Sequence, residues 1–66
     1  MVKDLHELAE MISKRDNISL KEAEEMIAIC QLDMESAFYK GNLYLAEQIM
    51  AGDLGLELDY FVLFIN

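Results

Sequence analysis

Leu20, Ala23, Ile27, Cys30, Met34 and Ala37 follow one another at intervals of 3, 4, 3, 4 and 3 residues, and this alternation restricts the fold more than any other feature of the chain. An α-helix turns once in about 3.6 residues, so apolar side chains spaced this way line a single stripe along it. The start of the helix is marked by Ser19 and Glu22. The Ser19 hydroxyl can accept from the Glu22 amide while the Glu22 carboxylate reaches back, with Ile18 placed to staple onto Ala23. The spacing predicts a helix from Leu20 to Lys40, on the order of 31 Å long at ~1.5 Å per residue. Met26, Ile29 and Phe38 widen its stripe. Two readings of this seam stay open: it faces flanking helices of its own chain, or part of it, around Ile27 and Met34, pairs with the same helix of a second chain.

A first helix is predicted over Asp4 to Arg15. Asp4 and Glu7 have capping-box spacing, Leu5, Leu8, Ala9 and Ile12 share one face, and Lys14 and Arg15 fall in the last turn, where cations favour the negative end of the helix dipole. After the second helix, Gly41 suits a left-handed C-cap and Asn42 the next N-cap. A third helix over Leu43 to Leu54, apolar at Leu43, Ala46, Ile49 and Met50 and ended by Gly55, therefore folds back on the second as an antiparallel hairpin. The tail from Leu56 is ambiguous. Asp59 can cap a short helix, yet Tyr60 to Ile65 is an unbroken apolar run with strand-forming residues. With no second strand in view, a short helix is the expectation, and six consecutive apolar residues must be buried on several sides or form an interface. The fold class is all-α: three helices plus a short fourth in a single domain over residues 1–66.

Size then raises the question of stability. A chain of 66 residues buries only about 60% of the surface it exposes when unfolded. Small domains compensate with disulfides, a structural metal or assembly. One cysteine, Cys30, and one histidine, His6, leave assembly, and a 55% hydrophobic composition agrees with it. A homodimer is expected, with Tyr60, Phe61, Leu63, Phe64, Ile27 and Met34 as its candidate interface residues.

Thirteen acidic residues against five basic ones give a formal charge of −8, which repels phosphate backbones and anionic membranes, so neither nucleic acid nor membrane is an expected partner. Much of this acidity is explained by solubility, and Glu22, Glu24 and Glu25 also favour the helix N-terminus. The sharper alternative is a negative, partner-facing surface made of Glu24, Glu25, Asp33 and Glu35. No apolar run is long enough to span a bilayer and the first residues do not read as a secretory leader, so a cytoplasmic location is expected, where one unpaired thiol is at ease.

Catalytic constellations are missing from the sequence. Cys30 lies on the apolar seam with no cation within one turn, which raises its pKa rather than activating it. His6 and Glu10, one turn apart, read as a surface pair rather than metal ligands. No cofactor is expected, and enzymatic activity is not.

The stretch from Ala37 to Tyr60, with Gly41-Asn42, Ala46-Glu47-Gln48-Ile49 and Leu54-Gly55-Leu56-Glu57-Leu58-Asp59-Tyr60, resembles small acidic proteins of tailed bacteriophages. Their endings are similar to Leu-Gly-Leu-Glu-Pro-Asp-Tyr, and the present chain departs from them in having Leu58 at the proline. The resemblance implies a phage or prophage origin and carries no biochemical activity with it; taken together with the excess charge, the surplus hydrophobicity and the lack of catalytic groups, it leads to the expectation of a protein-binding role such as inhibition of a host defence protein. The alternative expectation is a self-associating structural or regulatory accessory.

Overall fold

A computed structural model describes residues 2–65. Met1 and Asn66, the outermost positions of the expected domain, lie outside the described residues. Three α-helices, α1 (Leu5–Asp16), α2 (Leu20–Tyr39) and α3 (Leu43–Leu54), are followed by a 3-10 helix over Leu58–Phe64.

Local chemistry sets the boundaries. The Asp4 carboxylate accepts from the Glu7 amide at 2.9 Å. The Glu7 carboxylate takes the Lys3 amide at 3.2 Å, one residue earlier than a capping box requires. α1 ends at Asn17, whose φ of 55° is left-handed, and the turn is closed by the Ser13 hydroxyl donating to the Ile18 carbonyl at 2.6 Å. The full capping box expected at α2 is present, with Glu22 N donating to Ser19 Oγ at 3.0 Å and Ser19 N to Glu22 Oε1 at 3.2 Å. Gly41, at φ 71°, carries the chain out of α2, and the Asn42 amide returns to the Ala37 carbonyl at 2.9 Å. The Asn42 side chain then caps α3 through the Leu45 amide at 3.0 Å. Gly55, at φ 64°, ends α3. Left-handed backbone at both glycines is the conformation an L side chain resists.

α2 is the central helix, packed on α1 along one flank and on α3 along the other. Its buried residues are Ala23, Ile27, Cys30, Met34 and Ala37. They meet Leu8, Ala9 and Ile12 of α1 and Ala46, Met50 and Leu54 of α3 in one cluster. The seam is thus covered within a single chain, which decides between its two readings. Ile27 and Met34 are 4% and 0% exposed, and neither has surface left to give a second chain. Their place as interface residues is corrected accordingly: α1 and α3 already occupy that side. Ile29, expected to widen the stripe, points outward at 60% exposure.

The tail is needed because α1 is too short. It has 12 residues against 20 in α2, about 18 Å against 30 Å at ~1.5 Å per residue, so the C-terminal turns of α2 extend past its end. The 3-10 helix fills that space. It is helical, as expected, but it starts after Glu57 without a side-chain cap, and Asp59 lies inside it rather than capping it.

Candidate interaction surface

A 3-10 helix repeats every ~3.0 residues, so its side chains form three eclipsed rows. This periodicity sorts the apolar run. Phe61 and Phe64 share one row and turn toward α2: the Phe61 ring lies 5.9 Å from Phe38 at a 37° tilt, and Phe64 lines a depression with Gln31, Met34, Glu35 and Phe38. Tyr60 and Leu63 share the second row and turn toward α1. The Tyr60 hydroxyl donates to Met11 Sδ at 3.5 Å, and Leu63 lines a depression with Lys3, Asp4 and Leu5. All four expected tail residues are half-buried against the core of their own chain. Asp59, Val62 and Ile65 make up the third row, which is exposed.

Beside that outer row runs an apolar groove of about 400 Å³ walled by Phe38, Leu43, Phe61, Phe64 and Ile65, with no polar side chain among the five. Tyr39, the last residue of α2, and Tyr44, in the first turn of α3, stand 94% and 71% exposed. Reading the sequence for core stripes missed Leu43, Val62 and Ile65 as surface-forming residues. The only local signal for them is that the apolar run exceeds what one helix face can bury.

The four carboxylates expected to form a negative face are all exposed, but the structure does not bring them together. At 100° per residue Glu24 and Glu35 fall on one flank of α2 but about three turns apart, while Glu25 and Asp33 fall on other sides. Glu24 faces α1, with Oε2 4.0 Å from His6 Nδ1. Glu25 lies on the solvent ridge, Glu35 borders Phe64 at the tail, and Asp33 faces α3. There it meets Asp53, a residue the sequence reading did not single out. Desolvation, followed by hydrogen bonding to Asp33 and its charge, raises the Asp53 pKa.

Two candidate reactive groups are accounted for locally. Cys30 is buried, its Sγ 3.6 Å from Met34 Sδ; burial first, then the charges of Asp53 and Asp33, push its pKa up to about 11. His6 pairs with Glu24 across two helices rather than with Glu10. Among the described residues no three His, Cys, Asp or Glu side chains are grouped to hold a metal ion, and no helix is long and apolar enough to cross a membrane.

Comparison with family models, with curated proteins and with solved structures gave no match to this chain.

Proposed function

We propose that this protein acts by binding another protein through the apolar surface around the tail helix, and that it works by occlusion rather than by catalysis. The observation that carries the reading is the groove of five apolar walls, one of them the exposed Ile65, with Val62 exposed on the same outer row of the tail. A groove of this kind takes an apolar anchor, such as an aromatic or aliphatic side chain of a partner, with the surrounding carboxylates forming a polar rim. A net charge of −8 favours a partner with basic surroundings and disfavours nucleic acid. A thiol held at about 11 is no nucleophile at neutral pH. The resemblance to small acidic phage proteins makes a host protein the partner we favour, such as a defence factor met in the host cytoplasm.

Affinity capture from host lysate, comparing the wild type with the double variant Val62→Asp/Ile65→Asp, tests this. A saturable partner retained by the wild type and lost by the variant is the expected result. Equal capture by both, or none by the wild type at physiological salt, overturns it.

A second reading, a self-associating accessory protein, is favoured by a different observation: the solvent ridge of α2 carries Ile29, Leu32 and Tyr39, which the described residues leave exposed.

A further inference from the structure

Phe38 and Phe64 are walls of two hollows at once. On one side they close the apolar groove. On the other, with Gln31, Met34 and Glu35, they enclose a smaller hollow of about 150 Å³. The two are therefore continuous, and they differ in chemistry: the groove has no polar side chain among its walls, whereas the smaller hollow combines two aromatic rings with a carboxylate and a carboxamide. At 100° per residue Gln31, Glu35 and Phe38 stand about one turn apart on one flank of α2, where the tail brings Phe64 against them.

Glu35 is exposed, and among the described residues it makes no ion pair. The charges of the next depression, which shares Gln31 and Phe64, are already engaged: Lys3 pairs with Glu7 at 3.7 Å and the Asp4 carboxylate caps α1. An occupant of the smaller hollow thus meets one uncompensated negative charge, an amide oxygen free to accept, and two π systems. All three favour a cation, the rings through their quadrupole at distances up to ~6 Å. Of the two protein cations arginine fits better. Its guanidinium is flat and weakly hydrated, stacks on aromatic rings, and can donate to Glu35 and Gln31 together, whereas lysine brings a point charge that holds its water.

We infer that the hollow between Phe38, Phe64, Glu35 and Gln31 is a binding site for an arginine side chain of the partner protein, whose neighbouring apolar residue fills the groove. The inference rests on the groove being a docking surface and names the segment that docks: an arginine beside an aromatic or aliphatic anchor. Glu35 is the residue that selects for the arginine.

The test is an amide NMR titration of the isotopically labelled protein, at about 0.15 M ionic strength, with the capped peptide Arg-Phe-Arg, which sets a cation on either side of the anchor. Its counterparts carry citrulline, which keeps the shape of arginine without the charge, or lysine. The arginine and citrulline peptides should both shift Leu43 and Ile65, and the arginine peptide should also shift Gln31 and Glu35. It should bind about fivefold to tenfold more tightly than the citrulline peptide, and more tightly than the lysine peptide. Glu35→Gln should bring the arginine and citrulline peptides within about twofold of each other. Glu25→Gln, which removes the same charge from the solvent ridge of α2, should keep most of the difference. An arginine peptide no tighter than its citrulline or lysine counterpart, or an equal loss in Glu35→Gln and Glu25→Gln, overturns the arginine site. If the peptides still shift Leu43 and Ile65 in that event, the groove keeps its docking role; if none of them does, that reading fails as well.

Discussion

Arg15 Nη2 donates to the carbonyl oxygen of Leu54 at 2.7 Å, and Nη1 donates to that of Gly55 at 3.3 Å. One guanidinium at the end of α1 thus caps the end of α3. Nη2 and Nε of the same group also grip the Asp16 carboxylate at 2.9 and 2.7 Å. The ends of two helices, each with unpaired carbonyls and a partial negative charge, share one cation. Removing the fork in Arg15→Ala should cost about 1–2 kcal/mol, since hydrogen bonds from charged groups contribute ~1.5–3 kcal/mol and this one is partly solvated. Arg15→Lys should recover little, because a point charge cannot reproduce the planar fork. Thermal unfolding followed by circular dichroism checks both, with a fall of about 4–8 °C per kcal/mol in a domain this small.

Two aspartates should give stability opposite dependences on pH in the acid range. The hydrogen bond from Arg15 lowers the Asp16 pKa. Its contribution is therefore present above the unfolded pKa and is lost as pH falls through the lowered folded value. Asp53 has its pKa raised by desolvation and by Asp33. Between its ordinary and raised values the native state holds more protons than the unfolded one, so stability falls as pH rises through that window. Asp53→Asn should therefore stabilise the protein at neutral pH, by a few tenths of a kcal/mol for so exposed a pair, and Asp16→Asn should destabilise it there. Urea unfolding of both variants over a pH series reads the two signs; a shared sign contradicts the assignment.

Cys30 should be inert until the protein unfolds. With the thiol buried and its pKa near 11, alkylation at neutral pH has to wait for an opening of the core. Iodoacetamide labelling should then slow with added stabiliser and speed with sub-denaturing urea. Immediate stoichiometric labelling of the native protein would contradict the burial.

The Phe38–Phe61 contact should be energetically coupled. Each alanine variant loses packing, and the double-mutant cycle should leave about 0.5–1.5 kcal/mol of interaction, as tilted aromatic pairs do. Chemical denaturation of the two single variants and the double variant measures it.

Helix boundaries were legible in the sequence wherever a local device sets them. Ser19 with Glu22, Asn42 and Gly55 act within a few residues of themselves, and all three do in the structure what their spacing implied. The tail was less legible, because its form depends on how far α1 falls short of α2, and no residue of the tail records that. Asp59 looked like a cap on local grounds and is an ordinary position within the 3-10 helix. Lys14 and Arg15 were readable as cations at a helix end, but the second helix end that Arg15 serves lies 39 residues away. On α2 the periodicity identified the buried row correctly and said nothing of what covers it. The structure assigns Ile27 and Met34 to the core, leaving Leu32 and Tyr39, on the opposite side, uncovered.

In the proposed reading the tail helix has two inner rows that complete the core and one exposed outer row available to a partner. Comparing Phe61→Ser/Phe64→Ser with Val62→Ser/Ile65→Ser, for both unfolding free energy and capture of the proposed partner, tests this most directly. The inner pair should cost about 3 kcal/mol or more, whereas the outer pair should stay within about 0.5 kcal/mol of the wild type and still lose the partner. If the outer pair unfolds the protein as readily as the inner pair, or keeps full binding, the division of the tail into core and docking surface is wrong.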